Sequence, residues 1–310
     1  MRVLNALDAD EIGQLRGRGE FFWLDLHDPS KEDLAAIDEL FGLNPLAHRQ
    51  LRARGQRAKL YLYGDHALMV FWGVSTGEAR ESVVEVHLVI SGDGIVTVRN
   101  RACPALHSLR EELTTGESGA EQFVLCRILD ALTDAFFPVL GRLDDEIDSL
   151  EDEVLVQPTD EQLQRIAQFK RDLAGLRRII GPERDLFLRA TEDLERIPGF
   201  EPATRDYFRD LEDHLIRLTD TVDSYRDLLT AAMDVYLSTV SNRLNVVMER
   251  LTIVATIFLP LTLLTGFFGM NFGWLVRHIA TPWTFWAFGV AGSLLSSLMI
   301  VLWIRRNRLS

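Results

Sequence analysis

Threonine, glycine and asparagine set inside an apolar stretch are residues able to do ion chemistry, and this chain carries them as Thr265-Gly266-Phe267-Phe268-Gly269-Met270-Asn271. No charged residue stands between Leu251 and Val276, or between Ile279 and Ile304. Each segment exceeds the roughly 20 apolar residues needed to cross a bilayer. A simple anchor gains nothing from polar groups at that depth, because exposed polar backbone is tolerated there only where protein or water covers it. The run therefore points to a water-facing surface, the lining of an ion pore. Gly266 and Gly269 have two uses open to them: close helix packing, or a backbone turned so that its carbonyls face an ion.

A stripe of seven-residue period leads up to this run. Asp234, Ser241, Met248, Ala255, Thr262 and Gly269 form one row, with Leu237, Leu244, Leu251, Phe258 and Thr265 beside it and Asn245, Thr252, Leu259 and Gly266 on the other flank. A heptad keeps one helix face aimed at a common axis. Polar and small residues fill positions that a soluble coiled coil gives to Leu, Ile or Val, as in a pore lining or in close packing between membrane helices. Pro260 bends such a helix, since neighbours or water satisfy the carbonyl it frees.

Charge sets the orientation. Arg243 and Arg250 precede the first span, Arg305, Arg306 and Arg308 follow the second, and the connecting loop holds only Arg277 and His278. The excess of arginine on one side places both termini in the cytoplasm and the loop outside. Met1 to Leu15 lacks the apolar core of a signal peptide. The formal charge of −13 divides into +4 after Arg250, from four arginines without Asp or Glu, and therefore −17 before that point. An acidic cytosolic part excludes nucleic acid as a partner and favours cations. Cys103 and Cys126 have neither metal nor redox spacing. No phosphate loop, nucleophile elbow or paired-His helix is present, so nothing in the sequence points to an enzyme or to a covalently held cofactor.

Three regions position these residues. Residues 1–118 read as a mixed α/β domain, with strands at Phe21 to Leu26, Lys59 to Tyr63, Ala67 to Val74, Val83 to Ile90 and Gly94 to Arg99, and a Ser30-capped helix from Lys31 to Phe41. Residues 119–245 read as an acidic helical stalk, in long patterns from Glu121 to Leu155, Asp160 to Leu194 and Ala203 onward. Gly181-Pro182 kinks or splits the second of these. Residues 246–310 form a two-helix pore domain, entered by a helix on the order of 100 Å long that runs from the stalk into the membrane. The fold class is α+β. The acidic run Asp144, Asp145, Glu146, Asp148, Glu151, Asp152 and Glu153 reads as a solvated helix face that also concentrates cations.

The stretch from Tyr236 to Thr252, with Asn242, Asn245 and Met248, followed by Pro260 and Gly269-Met270-Asn271, resembles the CorA superfamily of divalent-cation channels and transporters. The resemblance extends through Asp130-Ala-Leu-Thr-Asp134, Leu143 to Glu151, Phe169-Lys-Arg171 with Leu176-Arg177, Tyr207-Phe-Arg-Asp210 and Asp213-His214. It implies a homopentameric funnel in the inner or plasma membrane, with five first membrane helices around the pore and the second helices against lipid. Matching positions become a hydrophobic constriction at Met248, Leu251 and Leu259, polar stations at Asp234, Ser241, Asn245 and Thr262, and a selectivity filter at Gly269, Met270 and Asn271. A ring of Asn271 amide oxygens would bind the first-shell waters of Mg2+ or Co2+ and admit the hydrated ion.

Two departures follow. The segment after the filter, Phe272 to His278, is basic where the family often carries Met-Pro-Glu-Leu. The family's gating metal pairs an Asp matching Asp210 with an Asp whose aligned position here is Gln50, and His48 stands nearby as a nitrogen donor. The resemblance thus implies transport of Mg2+ or Co2+, with Zn2+ or Ni2+ as further candidates for the transported or regulatory ion. The zinc-transporting ZntB branch, proton-coupled or not, and a membrane-tethered scaffold or metal sensor are the alternatives.

Overall fold

In this computed structural model the described residues are 1–75, 82–115, 123–189, 193, 195–198, 202, 204–270, 273–279 and 281–307. The chain divides into two compact units, Met1–Asp234 and Val235–Ser310.

The first unit is built on a sheet whose described strands are β1 Arg2–Leu4, β2 Phe22–His27, β3 Lys59–Leu62, β4 His66–Ser75, β5 Ser82–Ser91 and β6 Gly94–Arg99, in the order β1-β2-β6-β5-β4-β3. β1 and β6 each pair with β2 in parallel, whereas β6, β5, β4 and β3 form an antiparallel meander. Strand periodicity sends alternate side chains to opposite faces. One face holds Phe22, Leu24, Leu26, Leu68, Val89, Val96 and Val98, and packs against three helices: α1 Ala9–Arg18 through Ile12 and Leu15, α2 Lys31–Phe41 through Leu34 and Ile37, and α3 Pro45–Arg52 through Ala47 and Leu51. α2 starts at Ser30 with a reciprocal Ser30–Asp33 capping box, as its sequence predicts.

The opposite face meets α4 Pro104–Thr115, α5 Val124–Asp134 and α7 Asp160–Arg189. Phe71 of β4 stands edge-on to Phe187 of α7, with ring centroids 6.2 Å apart. On the same face Asp25 is buried with its charge answered: Arg99 donates to it at 2.8 Å and Thr97 Oγ1 at 2.9 Å. Gly94 sits where the Phe22 ring would be 2.6 Å from any added Cβ, so the crossing of β2 and β6 is closed to side chains.

Helices differ from the sequence reading in three places. The pattern from Glu121 to Leu155 is two helices, α5 and α6 Phe136–Val156. Pro138 is the cause: it has no N–H for the Asp134 carbonyl, and it is tolerated in the first turn of α6. Gly181-Pro182 leaves α7 undivided. β1, α1, α3 and α4 carry too little periodicity to be read beforehand. The long helix is continuous: α8 Thr204–Phe268 has 65 residues, roughly 98 Å at 1.5 Å per residue, with Pro260 inside it. α9 Gly273–Ile279 follows. A second apolar helix then runs from Pro282 to Arg306 over 25 residues, as α10 Pro282–Thr284, π-helical turns Phe285–Ala291 and α11 Gly292–Asn307.

Candidate functional site

The polar stripe lies on α8 and is solvent-facing in the single chain: Asp234, Ser241, Asn245, Met248, Leu251, Leu259 and Gly266 lie along its exposed surface, with Ala255 and Thr262 between them. Leu259 is 76% exposed and Leu251 64%. Neither apolar segment buries any of its length within the chain, and so much exposed hydrocarbon needs lipid or further subunits to cover it. The hydroxyls of the stripe are oriented by their own helix. Thr262 Oγ1 donates to the Phe258 carbonyl at 2.8 Å and Thr252 Oγ1 to the Met248 carbonyl at 2.8 Å. With the proton engaged, each oxygen keeps lone pairs that accept from water.

The two glycines of the terminal run part company. Gly266 has open space where a Cβ would stand, whereas a Cβ at Gly269 would lie 3.0 Å from the Thr265 carbonyl. Gly269 N–H donates to that carbonyl at 2.9 Å, closing the helix end. Leu264, Thr265, Phe268 and Gly269 also share a cavity with Thr284, Phe285 and Gly289 of the second span. Gly269 thus stands at the closing turn of the helix and beside that cavity. Met270 follows it at the helix end, and Asn271 lies outside the described residues.

A second site is made by packing. Asp130 and Asp134, one turn apart on α5, meet His214 of α8, and their ligand atoms lie within 4.8 Å of one another. His214 Nδ1 stands 3.1 Å from Asp134 Oδ1 and 3.6 Å from Asp130 Oδ1. This nitrogen is buried and makes no aligned hydrogen bond among the described residues. Phe137 meets the imidazole edge-on, with centroids 5.8 Å apart. Burial pushes the Asp130 carboxyl above its ordinary value, repulsion from Asp134 adds to this, His214 opposes it, and Asp210 adds a further push. One imidazole nitrogen and two carboxylates form a donor set suited to Co2+, Ni2+ or Zn2+. Asp210, expected as the regulatory ligand, is within electrostatic reach of this group but is not one of its three members. Asp130, Asp134 and His214 were visible in the sequence only as parts of a family pattern; the i, i+4 aspartates on a largely apolar helix were the available signal.

Gln50, which stands where the family has its second gating Asp, and nearby His48 are each engaged within the chain. Gln50 Oε1 accepts from the Lys59 ammonium at 2.5 Å, so a cation of this chain's own faces that amide. His48 pairs with Asp38 of α2, which Arg52 also approaches at 3.8 Å. The acidic run is partly built into the stalk. Tyr225 of α8 is pushed up to about 12 by burial and by its hydrogen bond to Asp144, with Asp148 and Asp145 adding to the effect. Glu153 is paired with Arg165 at 2.8 Å.

A mixed α/β unit, a long helix that ends in an apolar segment and a second apolar helix, both long and apolar enough to cross a membrane, make up the architecture with which known proteins can be compared. Residues 18–306 match the family described as CorA-like Mg2+ transporter protein. The chain is 32% identical over 281 residues to the cobalt/magnesium transport protein CorA of Thermotoga maritima, covering 88% of this chain and 80% of that one. It is 30% identical to the putative metal ion transporter YfjQ of Bacillus subtilis, covering 90% of this chain and 86% of that one. The structure of the CorA magnesium transporter from Methanocaldococcus jannaschii superposes with a TM-score of 0.81 at 24% identity, over 92% of this chain and 90% of that one. This chain belongs to the CorA family of divalent-cation transporters, whose members are not enzymes.

Proposed function

We propose that the chain is the subunit of a homopentameric channel in the cell membrane, with both termini in the cytoplasm, that passes hydrated Mg2+ or Co2+ down its electrochemical gradient. The observation that carries this is α8 itself, one unbroken helix bearing a row of polar and small residues at seven-residue spacing from Asp234 towards Gly269. Five copies turned to a common axis cover that row and give it water. Met248, Leu251 and Leu259 then form the dry constriction, and Ser241, Asn245 and Thr262 present oxygens to the ion's hydration shell. The filter is Gly269, Met270 and Asn271, where an amide oxygen holds first-shell water without stripping an ion that dehydrates reluctantly. The transport names of the Thermotoga and Methanocaldococcus relatives support Mg2+ and Co2+ as cargo.

Asp130, Asp134 and His214, with Asp210 beside them, serve as a regulatory metal site within one subunit. Its imidazole favours Co2+, Ni2+ or Zn2+ over Mg2+. The test is flux into liposomes carrying internal dyes for Mg2+, Co2+, Ni2+ and Zn2+, with and without a pH gradient. Mg2+ or Co2+ entry independent of the gradient and reduced to background by Asn271→Ala is the expected result. Zn2+ entry driven by protons would instead place the chain with the ZntB branch, and undiminished flux in the variant would sink the filter.

A further inference from the structure

Glu183 of α7 is fully buried and uses only half of its carboxyl group. Its Oε1 accepts the Trp72 backbone N–H at 2.7 Å, and its Oε2 is buried without a hydrogen-bond partner among the described residues. Sheet register explains the position. β3 pairs Lys59 with Val70, so two more pairs would set Arg57 against Trp72, but the strand begins at Lys59. The chain has already turned aside there, with the Gln56 carbonyl accepting from the Trp72 indole at 3.0 Å. The Trp72 N–H is therefore an open edge of β4, and Glu183 reaches across from α7 to close it.

An ionised carboxylate with one hydrogen bond and no cation is an uncompensated buried charge, and a group so placed takes up a proton instead. Burial pushes the Glu183 carboxyl well above the ordinary range, while the Trp72 N–H pulls the other way. Among the described residues no charged side chain contributes to that shift. Of the charged groups on the packed elements, Lys59 is held by Gln50, Glu85 of β5 by His87 and the Gly55 and Gln56 amides, and Arg184 by Asp185; Arg57 is exposed. One turn beyond Glu183, Phe187 packs on Phe71 of β4 and, 5.9 Å away, on Phe208 at the foot of α8. The carboxyl thus stands at the contact through which the sheet supports α7 and the base of the long helix.

We propose that Glu183 is a proton-operated latch: with its proton it seats α7 on the open edge of β4, and its ionisation loosens that seat and, through Phe187 and Phe208, the base of α8. The link from the latch to ion flow rests on the pore reading above, whereas the latch itself does not. Because the folded carboxyl holds its proton more tightly than the unfolded one, its stabilisation is complete below the ordinary glutamate value of about 4.3. It is lost as pH rises through the raised folded value.

Glu183→Gln keeps the shape and the accepting oxygen but cannot ionise. Thermal unfolding of the full-length protein in nanodiscs, followed from about pH 5 to about pH 9, should show the variant's midpoint gaining on wild type as pH rises. A midpoint difference that does not change with pH overturns the latch. Hydrogen exchange of wild type needs no variant: after correction for intrinsic chemistry, protection of peptides covering β4 and α7 should fall at alkaline pH relative to β2, and a uniform response overturns the proposal. In liposomes, wild-type flux should depend on the pH of the compartment that holds the acidic unit, and Glu183→Gln flux should not. Equal pH dependence in both overturns the coupling to transport. Absence of flux from both proteins at every pH would count against the pore reading, with unfolding and exchange still deciding the latch.

Discussion

At the scale of residues, the two proposed sites differ in ligand chemistry. The asparagine amide of the proposed filter suits a cation that keeps its water, whereas the His214 nitrogen with Asp130 and Asp134 suits one that sheds it. If that group holds metal, Co2+ at about 100 times its dissociation constant adds about 2.7 kcal/mol of stability. The gain should be lost in His214→Ala and in Asp134→Asn, as read by thermal unfolding with and without Co2+, with NaCl at matched ionic strength as control. The site also has a pH sense. Proton and metal compete for the Asp130 carboxyl, which burial raises above its ordinary value, so the Co2+ shift should begin to fade on acidification before an unperturbed carboxylate would titrate.

At the scale of elements, the contact of β4 with α5 and the aim of α8 are the points to test. Gly73 lies against buried Leu132, and an added Cβ would stand 2.6 Å from the Leu132 Cδ2. Gly73→Ala should destabilise the first unit by about 1–3 kcal/mol. Leu132→Ala in the same chain should recover part of that loss, a coupling that thermal unfolding of the two single variants and the double variant would expose. On α8 the seven-residue row predicts which positions face the axis. In the purified oligomer Ser241→Cys should form disulfide-linked dimers on oxidation and Arg243→Cys, on another face, should not. Native mass spectrometry should give the mass of a pentamer for both. Buried Cys103 and Cys126 leave the wild type unreactive as the control.

At the scale of the whole molecule, charge is divided as unevenly as hydropathy: −17 up to Arg250 and +4 from Leu251 onward, within the total of −13. Self-repulsion of the acidic part is screened over about 10 Å at 0.1 M salt. Raising NaCl from low to moderate concentration should therefore increase the thermal midpoint of the first unit. A midpoint that falls with salt would show that its ion pairs, such as Asp25–Arg99 and Arg177–Asp223, outweigh the repulsion. The same crowding of acids is felt at Glu151, whose carboxyl is raised by burial and by Asp148 and Asp152.

The sequence by itself determined whatever is written in consecutive residues. The two uncharged spans, the Ser30 cap, the apolar runs of β2 to β6 and the heptad from Asp234 to Gly269 all depend on local period and composition, and a segment can express them before it packs. Short or weakly periodic elements, β1 and α3 among them, were not legible because their neighbours, more than their own pattern, stabilise them. Only the tertiary structure brought His214 to Asp130 and Asp134 from a distant part of the chain, turned Gln50 to Lys59, and set Glu183 against the Trp72 N–H. Ligand geometry, burial and the protonation of a buried acid depend on which helix lies on which strand, and that is settled by packing between segments that the order of residues does not place side by side.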